Sequence, residues 1–355
     1  MQILPDVSIE NIIQMLKQQG DFLTLSRIQP ALFTNSFQFL INEHTQVNVL
    51  AEGIISFDPV TGTDKDVILS CGVHGNETAP IEICDDLVKA ILTGKTVVKQ
   101  RVLFLFGNLP SMDIAQRFVE ENMNRLFSGE HHNLAAGQQL NDERRRAEQL
   151  ENAVKHFYLA IDEHQGRHRF HYDLHTAIRA SKNDKFAVYP FQNGKAWDKY
   201  QLQILLACGV NTILLSGSPT TTFSYFSVNE FNAQAFTVEL GKVMPFGKND
   251  MANFSDLVTT LTQLICGEEL ALKNYTNKDF LIYEVNQMIN KQQADFSLNF
   301  ASDAPNFSDF PKGYLLASET GCEYHTQFDG EAIVFPNADV EIGQRAMLTV
   351  IPTDI

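Results

Sequence analysis

The chain has 355 residues, 44% hydrophobic and 20% charged, with 27 Lys and Arg against 43 Asp and Glu for a formal charge of −16. That length predicts one large domain plus a smaller one, and the composition is that of a globular enzyme rather than a disordered chain or repeat array. The acidity excludes nucleic acid and anionic membrane as partners, since both require a basic footprint. It leaves room for a small anionic substrate, provided that positive charge is concentrated locally.

Residues Met1–Ser8 show no basic stretch leading into an apolar core, so no signal peptide is expected. No apolar run approaches the roughly 18–20 residues that cross a bilayer. Five scattered cysteines without a C-x-x-C pair suit a reducing cytoplasm rather than a disulfide framework. Oligomeric state has no signal in the sequence.

Residues 1–50 read as a lead-in packed on the catalytic domain, with an amphipathic helix over Ser8–Gln18. From about Gly53 strands and helices alternate. The predicted strands are Val67–Val73, Val102–Gly107, His171–His175, Phe186–Tyr189, Thr212–Ser216 and Ala235–Leu240, each a short apolar run suited to a covered sheet. Between them fall predicted helices at Pro80–Leu92, Ser111–Glu121, Asn141–Ile161, Ala196–Cys208 and Asn253–Cys266. Within the polar stretch Ser128–Gln165, the run Glu143-Arg-Arg-Arg146 mixes signs at helical spacing and reads as a solvated helix face, not a phosphate patch. After about Thr276, short β-like segments at Phe296–Phe300, Gly313–Ala317, Ala332–Phe335 and Met347–Ile351 alternate with turn dipeptides such as Asp329-Gly330. The expectation is an α/β fold, with a mixed, mostly parallel central sheet covered by helices on both faces over 51–275. A small all-β domain follows over 276–355.

Ligands of such sheets bind outside the carboxyl ends of the strands. At one of those ends stands His74-Gly-Asn-Glu77, an imidazole and a carboxylate on one tight, glycine-flanked turn. A second is Phe170-His-Tyr-Asp-Leu-His-Thr176, where alternation puts His171, Asp173 and His175 on one face. His175 is a third metal-ligand candidate, His171 a competing one further inside the strand, and a histidine satisfied at a strand edge the plain alternative. Asp173 is placed to accept a ring N–H from a ligand histidine. At a third end Glu239 follows an apolar run and precedes Gly241, a position that packing explains poorly for an unpaired carboxylate and that suits a general base. Arg117, alone, would be a surface helix residue. With Asn124-Arg125 it offers the fork and amide donors that recognise carboxylates.

The motifs Gly72-Val-His-Gly-Asn-Glu-Thr78, Asn124-Arg-Leu-Phe127, Asp173-Leu-His-Thr176 and Val238-Glu-Leu-Gly241 resemble, in order, those of the zinc carboxypeptidase-like amidohydrolases, specifically the succinylglutamate desuccinylase/aspartoacylase branch. The likeness covers most of 50–266 and lies nearest the desuccinylase side of the branch. It implies one Zn2+ per subunit on His74, Glu77 and His175, with Glu239 as base and Arg117 stabilising the oxyanion. Asn124 and Arg125 would hold a substrate carboxylate. The implied reaction is hydrolysis of N-succinyl-L-glutamate to succinate and L-glutamate, the last step of arginine catabolism by the succinyltransferase route. The loop Ser216–Thr222 lacks the further arginine that aspartoacylases carry before the base, which leaves Arg179 and Lys242 as extra anion contacts. Two rival readings are another N-acyl amino-acid deacylase of the aspartoacylase type and a non-catalytic protein that binds zinc and ligand. The presence of Glu239 speaks against the second.

Overall fold

The computed structural model describes residues 8–135, 137–161 and 166–355. Helix α1 (Ile9–Gln19) begins where the Ser8 hydroxyl accepts the Asn11 N–H and ends at Gly20, with its left-handed backbone. It is followed by α2 (Phe22–Ile28). The lead-in then supplies structure that was not expected of it: its strands β1 (Phe37–Asn42) and β2 (Thr45–Ala51) form an antiparallel meander with β3 (Ile54–Pro59), which follows it. Every second residue of β2 is buried, including Val47 and Val49, so the alternation was present in the sequence.

Next come β4 (Lys65–Cys71), α3 (Thr78–Leu92), β5 (Arg101–Phe106) and α4 (Leu109–Asp113). The helix predicted over Ser111–Glu121 is only this short α4. Ala115 adopts a left-handed backbone (φ 52°), and the Val119 and Glu120 N–H groups bond the Glu143 carboxylate instead of a helical turn. Helix α5 (Asp142–Leu159) corrects a second expectation. Of its charge run only Arg145 faces solvent. Glu143 and Arg144 are buried, the latter paired to Glu121, and Arg146 bonds the carbonyls of Glu52, Phe106 and Gly107. Residues 162–165 of that polar stretch lie outside the described residues.

The chain continues through β6 (His168–Ala177), β7 (Phe186–Tyr189), α6 (Lys199–Ala207), β8 (Thr212–Leu215), α7 (Phe223–Phe231), β9 (Gln234–Lys242) and α8 (Ser255–Ile265). Helix α7 has no apolar stripe, because Phe223, Tyr225, Phe226, Val228 and Phe231 are all buried. Without periodicity it could not be told from a core strand.

The C-terminal region is all β: β10 (Leu281–Asn290), β11 (Ser297–Leu298), β12 (Ser308–Phe310), β13 (Leu315–Glu319), β14 (Cys322–His325), β15 (Glu331–Val334) and β16 (Arg345–Pro352). One 13-stranded mixed sheet runs β1-β2-β3-β5-β4-β6-β9-β7-β8-β10-β16-β15-β12, and β11-β13-β14 form a second sheet. Its centre, β5-β4-β6-β9, is parallel, and β10 pairs parallel to β8, so the sheet passes into the C-terminal region without a break. The largest apolar cluster packs α1, α2, α3, α6 and α8 on one face, while α5 and α7 cover the other. Among the described residues no helix is long and apolar enough to cross a membrane.

Candidate metal centre and active site

The parallel centre of the sheet brings the sequence-predicted residues to one end. The chain leaves β4 through Gly72 (φ 64°), turns at Gly75 and enters α3 just after Glu77. A side chain at Gly75 would collide with the Ser111 backbone, so the turn lies directly against α4. His175 lies near the end of β6, and Glu239 stands opposite it in register on β9. His74, Glu77, His175 and Glu239 are all buried.

His74 Nδ1 lies 2.8 Å from Glu77 Oε1, and His175 Nδ1 lies 2.8 Å from Glu77 Oε2. One ligand atom from each of the three residues lies within 4.8 Å of the others. The opposite ring nitrogens are occupied: His74 Nε2 meets Asn122 Oδ1 at 2.9 Å, and His175 Nε2 meets Asp173 Oδ2 at 2.9 Å. Asp173 Oδ1 in turn accepts the Ser70 hydroxyl. Both imidazoles thus aim Nδ1 inward and hold Nε2 against an oxygen, the outer contact that fixes tautomer and orientation in metal sites. His74 Nδ1 makes no hydrogen bond despite its closeness to Glu77, so a buried donor atom is left for something else. Burial, then the Arg117 charge, lowers His74 to about 4, which leaves its imidazole neutral at ordinary pH. Two imidazole nitrogens and a carboxylate on one side of an open cavity are the donor set of a three-ligand catalytic zinc site. The donor set fits the ion.

His171 stands apart from this cluster. Its two ring nitrogens bond the Ser70 and Ser227 hydroxyls, and its ring meets Phe223 edge-on. Glu239 Oε2 has no hydrogen-bond partner, and burial, then the neighbouring Glu77 carboxylate, pushes Glu239 up to about 7. Such a carboxylate is poised to exchange a proton near neutral pH.

The cluster opens into a cavity of about 470 Å³. Arg117, in the loop after α4, donates to Glu77 Oε1 at 2.7 Å and lines the cavity. Asn124 and Arg125 lie on a 3-10 turn: the Asn124 carbonyl oxygen Oδ1 accepts the Phe223 N–H, and among the described residues the Arg125 guanidinium bonds only the Asn124 main-chain oxygen. Arg179 also lines the cavity, but its guanidinium is engaged by the main-chain carbonyls of Ser302, Ala304 and Pro336. Lys242 is exposed at the end of β9 and lies outside the lining. The C-terminal region contributes part of the lining, including Met288, Phe335, Val340, Arg345 and Leu348. Sequence reasoning missed Asn122 and Arg345. The first lies two residues before Asn124 and could have been weighed with it; the second opens a strand far along the chain with no motif around it.

Over residues 63–265 the sequence matches the succinylglutamate desuccinylase/aspartoacylase catalytic domain, and over 278–353 the AstE/AspA barrel-sandwich hybrid domain. A protein of Pseudoalteromonas atlantica named succinylglutamate desuccinylase is 58% identical over 98% of this chain and 99% of its own length. A protein of the same name from Shewanella pealeana is 49% identical over 97% and 99%. Among solved structures, the Vibrio parahaemolyticus enzyme of that name superposes with a TM-score of 0.83 at 32% identity, covering 94% of this chain and 95% of the other. The Chromobacterium violaceum enzyme gives 0.82 at 33%, covering 94% and 98%. The chain belongs to the succinylglutamate desuccinylase/aspartoacylase family.

Proposed function

We propose that this protein hydrolyses N-succinyl-L-glutamate to succinate and L-glutamate, with one zinc ion per subunit held by His74, Glu77 and His175. The observation that carries the reading is Glu239: a buried carboxylate with a free oxygen, in register with His175, facing a cavity that also holds arginines. The kinship with proteins named for this reaction supports the choice of substrate.

A bound zinc ion supplies Lewis acidity, polarising a carbonyl oxygen and acidifying water. The remaining work falls to the chain. Glu239 takes a proton from the attacking water as the oxygen–carbon bond forms, then delivers it to the amide nitrogen as the carbon–nitrogen bond breaks. Arg117 offers N–H donors to the oxygen on which negative charge builds. Asn124 and Arg125 fix the amino-acid end of the substrate by its carboxylate. In the same reading residues 51–275 act as the catalytic unit and 276–355 close the cavity. Five free cysteines suit a cytoplasmic setting, and the arginine-degrading succinyltransferase route is the metabolic place implied for the reaction.

The test is metal content together with succinate release from N-succinyl-L-glutamate, beside acetate release from N-acetyl-L-aspartate, for the wild type and E239Q. The expected result is stoichiometric zinc in both proteins and succinate release by the wild type alone. A zinc-loaded wild type that releases acetate and no succinate overturns the substrate assignment. Near-normal turnover by E239Q removes the base.

A further inference from the structure

Among the described residues, the buried and half-buried arginines are of two kinds. Arg101 is paired with Asp58 and Asp66, Arg144 with Glu121, and Arg146 is held by Glu52 and main-chain carbonyls. Each has its charge answered inside the fold, as burial of a guanidinium requires. Arg345 does not. It opens β16, beside Asn290 of β10, and reaches the cavity with no ion pair and no side-chain hydrogen bond among the described residues; its Nε is buried and unpartnered. Its guanidinium carbon lies 5.5 Å from the centre of the Phe335 ring, over its face. Phe335 itself is held in a left-handed backbone (φ 54°), with its N–H bonded to Asn306 Oδ1, which sets the ring under the guanidinium at a cost in strain.

The neighbours make the arrangement costlier. Arg125 is lowered to about 9 by burial, then by the charges of Arg345 and Arg117; Arg345 is lowered to about 10 by burial, then by Arg117. Arg117, Arg125, Arg179 and Arg345 all line one cavity, and among the described residues only Arg117 of the four is paired with a carboxylate. Such a cluster is stable when an anion of several charges fills it.

We infer that Arg345 binds a second substrate carboxylate, the one that ends a –CH2–CH2–COO⁻ arm. The inference rests on the proposed hydrolysis of N-succinyl-L-glutamate, whose acyl group and glutamate side chain both have that arm. Met288, Val340 and Leu348 of the same region supply apolar surface for the methylenes. Arg125 then serves the carboxylate at the amino-acid α-carbon, and the two arginines, from distant parts of the chain, measure the substrate together. Arg345 is a specificity residue contributed by the C-terminal region to a reaction carried out on β4, β6 and β9.

The experiment compares wild type and R345Q on N-succinyl-L-glutamate, N-acetyl-L-glutamate (no acyl carboxylate) and N-succinyl-L-glutamine (no side-chain carboxylate). Loss of a hydrogen bond to a charged group should lower kcat/KM of R345Q on the first compound by about 10- to 100-fold. On the analogue that lacks the contacted carboxylate, R345Q and wild type should be equal, and that analogue identifies the arm. An equal loss on all three compounds, or none on the first, overturns the inference. If the wild type releases nothing from N-succinyl-L-glutamate, the functional reading fails separately. Calorimetric titration with succinate and with L-glutamate then decides for Arg345: binding weakened by roughly tenfold or more in R345Q supports it, and unchanged binding of both overturns it. Melting curves establish that R345Q is folded; if it is not, R345K reads the same pattern with a smaller loss.

Discussion

Asp173 Oδ2 and His175 Nε2 are 2.9 Å apart on the same face of β6, while the other nitrogen of that imidazole faces Glu77. The carboxylate accepts an N–H from Nε2, so that with an ion bound the Nδ1 lone pair would be free to face it. Removing such an outer partner typically costs about 10- to 100-fold in metal affinity. D173A should therefore bind zinc more weakly by that factor in chelator competition, with D173N intermediate because an amide oxygen still accepts the N–H. Unchanged affinity in D173A would assign Asp173 to the Ser70 and His171 network alone.

Arg117 lies beside the donor cluster with part of its side chain open to the cavity. If it stabilises developing charge, R117A should lose about 10²- to 10³-fold in kcat, the usual effect of deleting one oxyanion donor, while retaining zinc. Steady-state kinetics check this. A raised KM with kcat intact would make it a ground-state binding group instead.

Glu151 on α5 is raised by burial to about 7, against an ordinary value of 4.5; it accepts the Gly129 N–H, lies 3.8 Å from His131, and has Glu148 and Glu230 adding repulsion. The folded state holds the proton more tightly than the unfolded state. Its contribution to stability is present below pH 4.5 and is lost as pH rises through about 7. E151Q should match the wild type near pH 4.5 and exceed it at pH 8 by on the order of 1 kcal/mol after screening. Denaturant midpoints at the two pH values measure the difference; a constant offset would exclude the titration.

Gly75 is required by space rather than by backbone conformation, since a Cβ there meets the Ser111 backbone. G75A should cost about 1–3 kcal/mol, as overpacking does, and should displace the turn that carries His74 and Glu77. A lowered Tm together with weakened zinc binding is the expected pair of results. A normal Tm would show that α4 can shift away.

The parts of the site legible in the sequence are those in which chemistry and local structure coincide. His74 and Glu77 share one turn after a β-run, and Asp173 and His175 share one strand face, so a few residues carried the inference. Glu239 was legible because a buried-looking carboxylate at a strand end has no packing role. Arg345 was not, because it reaches the cavity through the pairing of β16 with β10, and nothing within its own segment records that partner. Helix α7 escaped because an element buried over most of its surface loses the 3.6-residue signal. The charges of α5 read as solvated because their partners, Glu52 and Glu121, lie far away in sequence. The helix over Ser111–Glu121 failed for the reverse reason: amphipathic spacing was present, but Glu143 claimed the N–H groups.

The single sheet that joins β8, β10 and β16 also sets an order of events during synthesis. The ribosome makes His74, Glu77 and His175 and then Glu239, the last of them, before it makes Arg345. A nascent chain stalled between them has every donor for the ion and the base beside it, yet lacks the wall that measures the substrate. Discrimination is acquired last, when β16 docks on β10.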